Sequence, residues 1–422
     1  MVDLESVSQL PSAGTGEEGS GTVARSYRRV SGDSHLQVPA DAWTHRVPAA
    51  YRDQAPRRVK RPDGGQAIVA ADGSAYFGAT GSYAGHTPET FDPMVAFDFD
   101  TAVGAGPPAQ RIAEQDRDGV DAELLFPGTS AIHGIAAADR PAYLAMVRAY
   151  NEYLAEEYCA IAPDRLFGVG MLPTKDVDLK IQEMERCKRL GLRAVGLHDL
   201  PSGQTYPTVE DDRFWAAALD LGMPVCIHTT ISRRSGQLFQ YSRTPASERP
   251  PDDFIDRLYR HANPSRCGAL TACQLVFAGV FDRFPSLQIY WAENNVGWIP
   301  FYFEQLDAEY AKNHVWAERH FGIPRLARRP SEIIRDHSSW GFYDDRIGIK
   351  LRYEIGPDRI VWGSDFPHVV TAWPNSSRLL AEQMADVPTA ERQAMEAGNL
   401  LRFLGIDVDR RRDATQPVGG EP

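Results

Sequence analysis

Four short apolar runs in this chain each stop on a residue of ligand type. RRVSGDSH ends on Asp33-Ser34-His35, MPVCIHTT reaches His228, LQIYWAEN reaches Glu293 and IVWGSDFPH reaches Asp365. The runs are rich in β-branched and aromatic residues, the composition of a strand. Carboxylates and imidazoles confined to strand ends are what a (β/α)8 barrel needs to assemble one site from several strands at its top face. Imidazole plus carboxylate is also a normal donor set for a catalytic divalent ion.

The rest of the chain alternates in the same sense. Further strand-like runs are DAELLFP (121–127), LFGVGMLP (166–173), RAVGLHD (193–199) and SSWGFYD (338–344), giving eight strands in all, the barrel number. Between them, stretches such as AYLAMVRAYNEYLAEEYCAIA and DLKIQEMERCKRLG repeat apolar residues every three to four positions, the helical period. Gly191 and Gly222 sit where helices would end before the next strand. The expected fold is therefore a (β/α)8 TIM barrel over 28–407, between disordered tails at 1–27 and 408–422 that are polar and without periodicity. One unit is irregular: about seventy residues separate His35 from the helix near Pro107, far more than an ordinary βα loop. Its part QAIVAADGSAYFG predicts a hairpin with an Asp72-Gly73 turn, and 40–106 is expected to be an insertion covering the barrel mouth. A second long segment, 231–262, is placed to bind substrate or act as a lid.

Charge and composition exclude several classes. A net charge of −12 argues against a nucleic-acid partner, and no apolar stretch approaches membrane-span length. The first twenty residues lack a hydrophobic region, so no signal peptide is expected. The five cysteines are odd in number and form no CxxC pair, which reads as reduced thiols in a cytoplasmic protein. The expected partner is a small-molecule substrate, with a homodimer as the default assembly.

Each candidate residue also has a plainer explanation. Asp33 and His35 share a strand face while Ser34 points away, as two ligands require, although a lone Asp-x-His more often makes a turn hydrogen bond. His228, taken alone, reads as a hydrogen-bonded core histidine, and Asp365 as a helix N-cap. Glu293 is either a proton-handling group or an acceptor for backbone amides before GWIP. His198 ends the fourth strand, where it would contact substrate or serve as a wall residue. His368 is placed to orient the Asp365 carboxylate. His133 follows the second strand in a Gly/Ser loop facing the pocket. Arg233 and Arg234 would pair with a substrate carboxylate or stand solvated. The aromatic residues of HVWAERHF and GWIPFYF are assigned to helix packing.

Several segments together resemble the amidohydrolase-related family that includes aminocarboxymuconate-semialdehyde and resorcylate-type decarboxylases. They are SGDSHLQVPADAWTHRVPAAYRDQAPR, DRDGVDAELLFP, RAYNEYLAEEYCAIAPDRLFGVGMLP, GVFDRFPSLQIYWAENNVGWIPFYFEQLD, VWGSDFPH and AGNLLRFLGI. The likeness runs in order from about residue 28 to 407. It implies a single divalent ion, Zn²⁺ or Mn²⁺, held by Asp33, His35, His228 and Asp365, with Asp365 also able to take a proton. Two departures stand out. The first strand carries Asp-x-His where many members carry His-x-His, which favours a harder ion. Glu293 stands where several members place a proton-handling histidine. The resemblance implies non-oxidative decarboxylation of a small aromatic or unsaturated acid. Metal-dependent hydrolysis of a C–N or C–C bond is the alternative, and an inactive barrel acting as a binding protein is a second one.

Overall fold

The computed structural model describes residues 25–77, 82–87, 89–90, 97–229, 231 and 268–406. Eleven strands form among them. They are β1 (Val30–Leu36), β2 (Arg57–Lys60), β3 (Gln66–Val69), β4 (Ala75–Phe77), β5 (Ala122–Pro127) and β6 (Leu166–Met171). The remainder are β7 (Ala194–Gly196), β8 (Val225–His228), β9 (Ile289–Ala292), β10 (Ser338–Phe342) and β11 (Ile360–Trp362). Eight of these pair side by side in the order β1-β5-β6-β7-β8-β9-β10-β11, each pair parallel. All eight expected strands are present, in a (β/α)8 barrel. Both faces of such a strand are covered, so β1, β5 and β6 are buried along their whole length.

The barrel closes at the Asp33-Ser34-His35 and Asp365 motifs. An isolated parallel bridge joins Ser34 to Phe366. The Asp365 N–H donates to the Asp33 carbonyl and the His35 N–H to the Phe366 carbonyl, both at 2.7 Å. Behind that seam Ser31, Ser34 and Ser364 bring their hydroxyl oxygens within 3.0–3.2 Å of one another. Gly363 lets β11 come this close, because a Cβ there would lie 2.6 Å from the Asp33 Cβ.

The helices between strands start and stop on local chemistry. Asp139 caps Arg140–Tyr153 by accepting from the Ala142 N–H, and Asp176 caps Val177–Leu190 through the Leu179 N–H. Gly191 and Gly222 adopt the left-handed φ values of 84° and 55° expected where a helix hands over to a strand. Trp291 stacks on Trp340 at 5.3 Å between ring centroids, and Trp298 meets Trp340 edge-on at 5.5 Å.

The insertion after β1 begins with short 3₁₀ turns and continues as an antiparallel sheet β2-β3-β4. The expected hairpin is β3-β4, with Gly73 at φ 77° in its turn. The segment rests on the chain that follows β11. The Ala84 N–H donates to the Pro367 carbonyl at 3.0 Å, and Ala84 packs with Phe366 and Trp373. Ala84 thus lies against the chain just beyond the C-terminal end of β11. Residues 232–262 of the second expected loop and the tails at 1–24 and 408–422 lie outside the described residues.

Two expectations change. His133 is not in a loop: it lies on the helix Thr129–Ala136, because Gly128 ends the strand at once and TSAIHGIA is apolar enough to pack. The aromatic residues on the helix Ile299–Phe321 divide: Phe303 is buried, whereas Phe301, Trp316 and Phe321 are 70%, 46% and 69% exposed. No helix among the described residues is long and apolar enough to cross a membrane. Cys159, Cys187, Cys226 and Cys273 are free thiols.

A methyl group at position 363 has to displace backbone at the seam rather than a flexible side chain. Gly363→Ala is expected to destabilise the protein by about 1–3 kcal/mol, the usual cost of overpacking. A drop of several degrees in thermal unfolding checks this; an unchanged Tm would show that the seam can open at no cost.

Candidate active site

Pleating sends Asp33 and His35 to one side of β1 and Ser34 to the other. His228 ends β8, and Asp365 follows β11, which lies beside β1. The three strands thus bring their polar ends to one point. His35 Nε2 lies 3.1 Å from His228 Nε2, 3.1 Å from Asp365 Oδ1 and 3.4 Å from Asp33 Oδ1. His228 Nε2 lies 3.4 Å from Asp33 Oδ1 and 3.5 Å from Glu293 Oε2. Asp33, His35 and His228 form one group able to hold a metal ion, and His35, Asp365 and His368 an adjoining one.

The charge balance asks for a cation here. Both Asp33 oxygens are buried without a hydrogen bond. Burial alone would lower the His35 pKa, but contacts with Asp33 and Asp365 outweigh it and push the ring up to about 10. Burial likewise opposes ionisation of Asp33 and Asp365. The surrounding imidazoles overcome it and hold both carboxyls below the usual carboxylate range. Two carboxylates and two imidazole nitrogens on one point suit a divalent ion, and a proton fills the same electrostatic role when no ion is bound.

Glu293 stands at the rim of this group, with its side chain 24% exposed. Burial and the nearby Asp365 charge raise its pKa to about 7, against the pull of His228. It is not tied up by the turn before GWIP: the Val296 and Gly297 N–H groups donate to Asp345 instead, at 2.5 and 2.6 Å. His368 Nδ1 lies 2.8 Å from Asp365 Oδ1, and its ring stacks on His35 at 4.0 Å. Gln37 Nε2 donates to His368 Nε2 at 2.9 Å, which leaves the His368 proton on Nδ1, facing Asp365. His198 follows β7, and its Nε2 is buried without a hydrogen-bond partner. Burial and the neighbouring His228 lower its pKa to about 4, so the ring is neutral at neutral pH. His133, buried on its helix, is not among the groups that converge. Arg233 and Arg234 lie outside the described residues.

Backbone strain is concentrated here too. Thr229, Glu293 and Asp365, at or just beyond the ends of β8, β9 and β11, have φ values of 57°, 53° and 51°. Such conformations cost on the order of 1–3 kcal/mol each and persist only where neighbours enforce them. Asn294 supplies that enforcement at two of the three ends. Its side-chain amide donates to the carbonyls of Ala292 (2.6 Å) and Thr229 (3.2 Å).

Several supporting residues escaped the sequence. Arg111, fully buried on the helix Pro108–Asp118, donates through Nη2 to the His35 carbonyl at 3.1 Å and through Nε to Glu123 at 2.5 Å. Gln115 also donates to Glu123, at 2.7 Å. Glu123, the one charged residue of the otherwise apolar run AELLFP, was the available signal, since a carboxylate inside a doubly covered strand must be paired or hydrogen-bonded.

A parallel barrel with imidazoles and carboxylates converging at its C-terminal end defines a barrel enzyme. The profile of the family described as Amidohydrolase matches residues 40–406. The chain belongs to that family. It is 24% identical over 310 residues to a 2-amino-3-carboxymuconate-6-semialdehyde decarboxylase of Dictyostelium discoideum, covering 72% of this chain and 78% of the relative. It is 26% identical over 318 residues to a gamma-resorcylate decarboxylase of a Polaromonas species, covering 71% and 87%. Among solved structures, 5-carboxyvanillate decarboxylase of Novosphingobium aromaticivorans, complexed with manganese and 4-hydroxy-3-methoxy-5-nitrobenzoic acid, superposes with a TM-score of 0.60 at 16% identity. That match covers 90% of this chain and 96% of the other and bears on the fold.

Ion binding is expected to compete with protons. Below a pKa of about 10 the ion-free His35 carries a proton that the ion must expel, so affinity rises with pH between neutrality and that value. Calorimetric titration of the ion-free protein with Mn²⁺ in buffers of different ionisation enthalpy should detect proton release. An affinity independent of pH over this range would contradict it.

Proposed function

We propose that the chain is a metal-dependent decarboxylase of a small aromatic or unsaturated carboxylic acid. The observation that carries this is the meeting of Asp33, His35, His228 and Asp365 with Glu293 at their rim. The named decarboxylases among the relatives support the reaction class. The metal would be held by Asp33, His35, His228 and Asp365. Two carboxylates in the set, and the manganese in the 5-carboxyvanillate decarboxylase complex, favour Mn²⁺ over Zn²⁺. When bound, such an ion supplies Lewis-acid polarisation of a substrate oxygen.

The chain's own residues handle position and protons. Gln37 and His368 fix the Asp365 carboxylate, and Arg111 fixes the strand end that carries His35. His198 offers a neutral ring nitrogen to a hydroxyl or carbonyl of the substrate. Glu293, with its pKa pushed up to about 7, retains a proton near neutrality and donates it to the substrate carbon. The bond from that carbon to the carboxyl carbon breaks, its electron pair stays on the carbon that receives the proton, and CO₂ leaves. Arg233 and Arg234 would meet the substrate carboxylate before it departs.

His228→Ala and Asp365→Asn are expected to cut turnover by a factor on the order of 10³ or more, the scale of several kcal/mol of lost charge stabilisation. Melting should stay near that of the wild type. Near-normal turnover by either variant would be incompatible with the mechanism.

Activity is expected to fall as pH rises through the Glu293 pKa, because the donor form is lost, and Glu293→Gln should remove that limb together with most turnover. In ²H₂O the product should gain deuterium on carbon. Label from H₂¹⁸O incorporated into the product would instead identify hydrolysis. Wild-type turnover by Glu293→Gln from about pH 5 to 9, a range that spans a shifted carboxyl, would make Glu293 structural.

A further inference from the structure

The helix Val177–Leu190, which follows β6, carries a fully buried lysine near its start, Lys180. A buried ammonium is costly unless it is paired and hydrogen-bonded. Both partners come from the segment that follows β7. Lys180 Nζ lies 2.9 Å from Asp199 Oδ1 and donates to the Pro201 carbonyl at 3.3 Å. Burial still lowers the Lys180 pKa, against the pull of Asp199.

Asp199 in turn ties two loops together. Its Oδ2 accepts the Lys175 N–H at 2.8 Å. Lys175 belongs to the turn after β6, and its φ of 61° is a conformation that persists only where neighbours enforce it. That turn is fastened from its other side too. Arg140 donates to the Thr174 carbonyl at 3.0 Å, and the Thr174 N–H donates to the Tyr143 hydroxyl at 3.0 Å. Gly203 brings the second loop down onto it: its φ is 77°, and a Cβ there would lie 2.8 Å from the Lys175 Cα. Further along, the Ser202 and Thr208 N–H groups donate to Asp211 at 2.6 and 2.7 Å. The segment 199–211 is therefore pinned at both ends, and the pin at its start is Lys180.

His198 immediately precedes that pin. Its Nε2 is buried without a hydrogen-bond partner, and it would lie 3.9 Å from a Cβ on Gly196, two residues back on the same strand face. An apolar residue could fill the space that Lys180 occupies, and such replacements of buried ion pairs are often neutral or stabilising. What the charged pair supplies is direction. We propose that Lys180 is a positioning residue for His198: through Asp199 it fixes the strand end and the turn that aim the imidazole into the site. The inference rests on the reading of His198 as a substrate contact in the decarboxylase proposed above.

Hydrogen exchange of the full chain loaded with Mn²⁺ tests the clamp without substrate. In Lys180→Met the Lys175 and Gly203 amides should exchange at least tenfold faster, with β8, β9 and β11 unchanged and the Mn²⁺ stoichiometry intact. Lys180→Met/Asp199→Asn, which leaves no charge unpaired, should show the same local pattern and melt like the wild type. Turnover of 2,6-dihydroxybenzoate, an aromatic acid with hydroxyls for His198 to meet, tests the link to that ring. Lys180→Met and His198→Ala should each raise KM about tenfold while kcat changes less. Lys180→Met/His198→Ala should then be no worse than His198→Ala alone, because the two residues act as one unit. Wild-type exchange in both Lys180 variants, or losses that add in Lys180→Met/His198→Ala, would overturn the proposal. A wild-type KM in His198→Ala would instead overturn the reading of His198 as a substrate contact, and the exchange result would still decide the clamp.

Discussion

The contact on which the rest of this molecule depends is the seam between β1 and β11. A barrel has no free edge only if its last strand finds its first. Here that meeting is short: one bridge and two backbone hydrogen bonds of 2.7 Å. Those bonds belong to Asp33, His35, Asp365 and Phe366, so closing the fold and bringing the Asp33, His35 and Asp365 side chains together are one event. Arg111 strengthens the junction from behind. Its guanidinium reaches the His35 carbonyl and the Glu123 carboxylate and lies over the Phe366 ring at 4.5 Å.

Alignment has an electrostatic consequence. Carboxylates and imidazoles brought this close in a dry site cannot all take their solution charge states. Asp33 and Asp365 stay ionised because His35, His228 and His368 face them, and His35 holds its proton because they do. Burial drives Glu293 the other way, up to about 7, with the neighbouring Asp365 charge adding to it. One site thus holds two classes of carboxyl, one kept anionic and one raised towards neutrality. The strained φ angles of Thr229, Glu293 and Asp365 gather at the same strand ends, where neighbours must enforce them.

The amino-acid sequence by itself determined the eight strands, their parallel order and the β3-β4 hairpin. These follow from local causes: apolar runs, helical period, glycines at handover points and the Asp72-Gly73 turn. It also placed Asp33, His35, His228, Glu293 and Asp365 at strand ends, because alternation and position along a run are local properties. Tertiary structure alone decided the rest. Which strand ends meet depends on barrel closure, and so does the pairing of Gln37 with His368, two residues far apart in sequence. Arg111 reads locally as a solvated charge on an amphipathic helix and becomes a buried clamp only when Glu123 arrives from β5. The Gly and Ser around His133 read locally as a loop, and packing makes a helix of that segment. Phe301 and Trp316 read locally as packing residues, because aromatic side chains usually bury, yet both are exposed. The helix Ile299–Phe321 leans on the barrel with one face only, and that choice of face is made by the contacts of the whole fold.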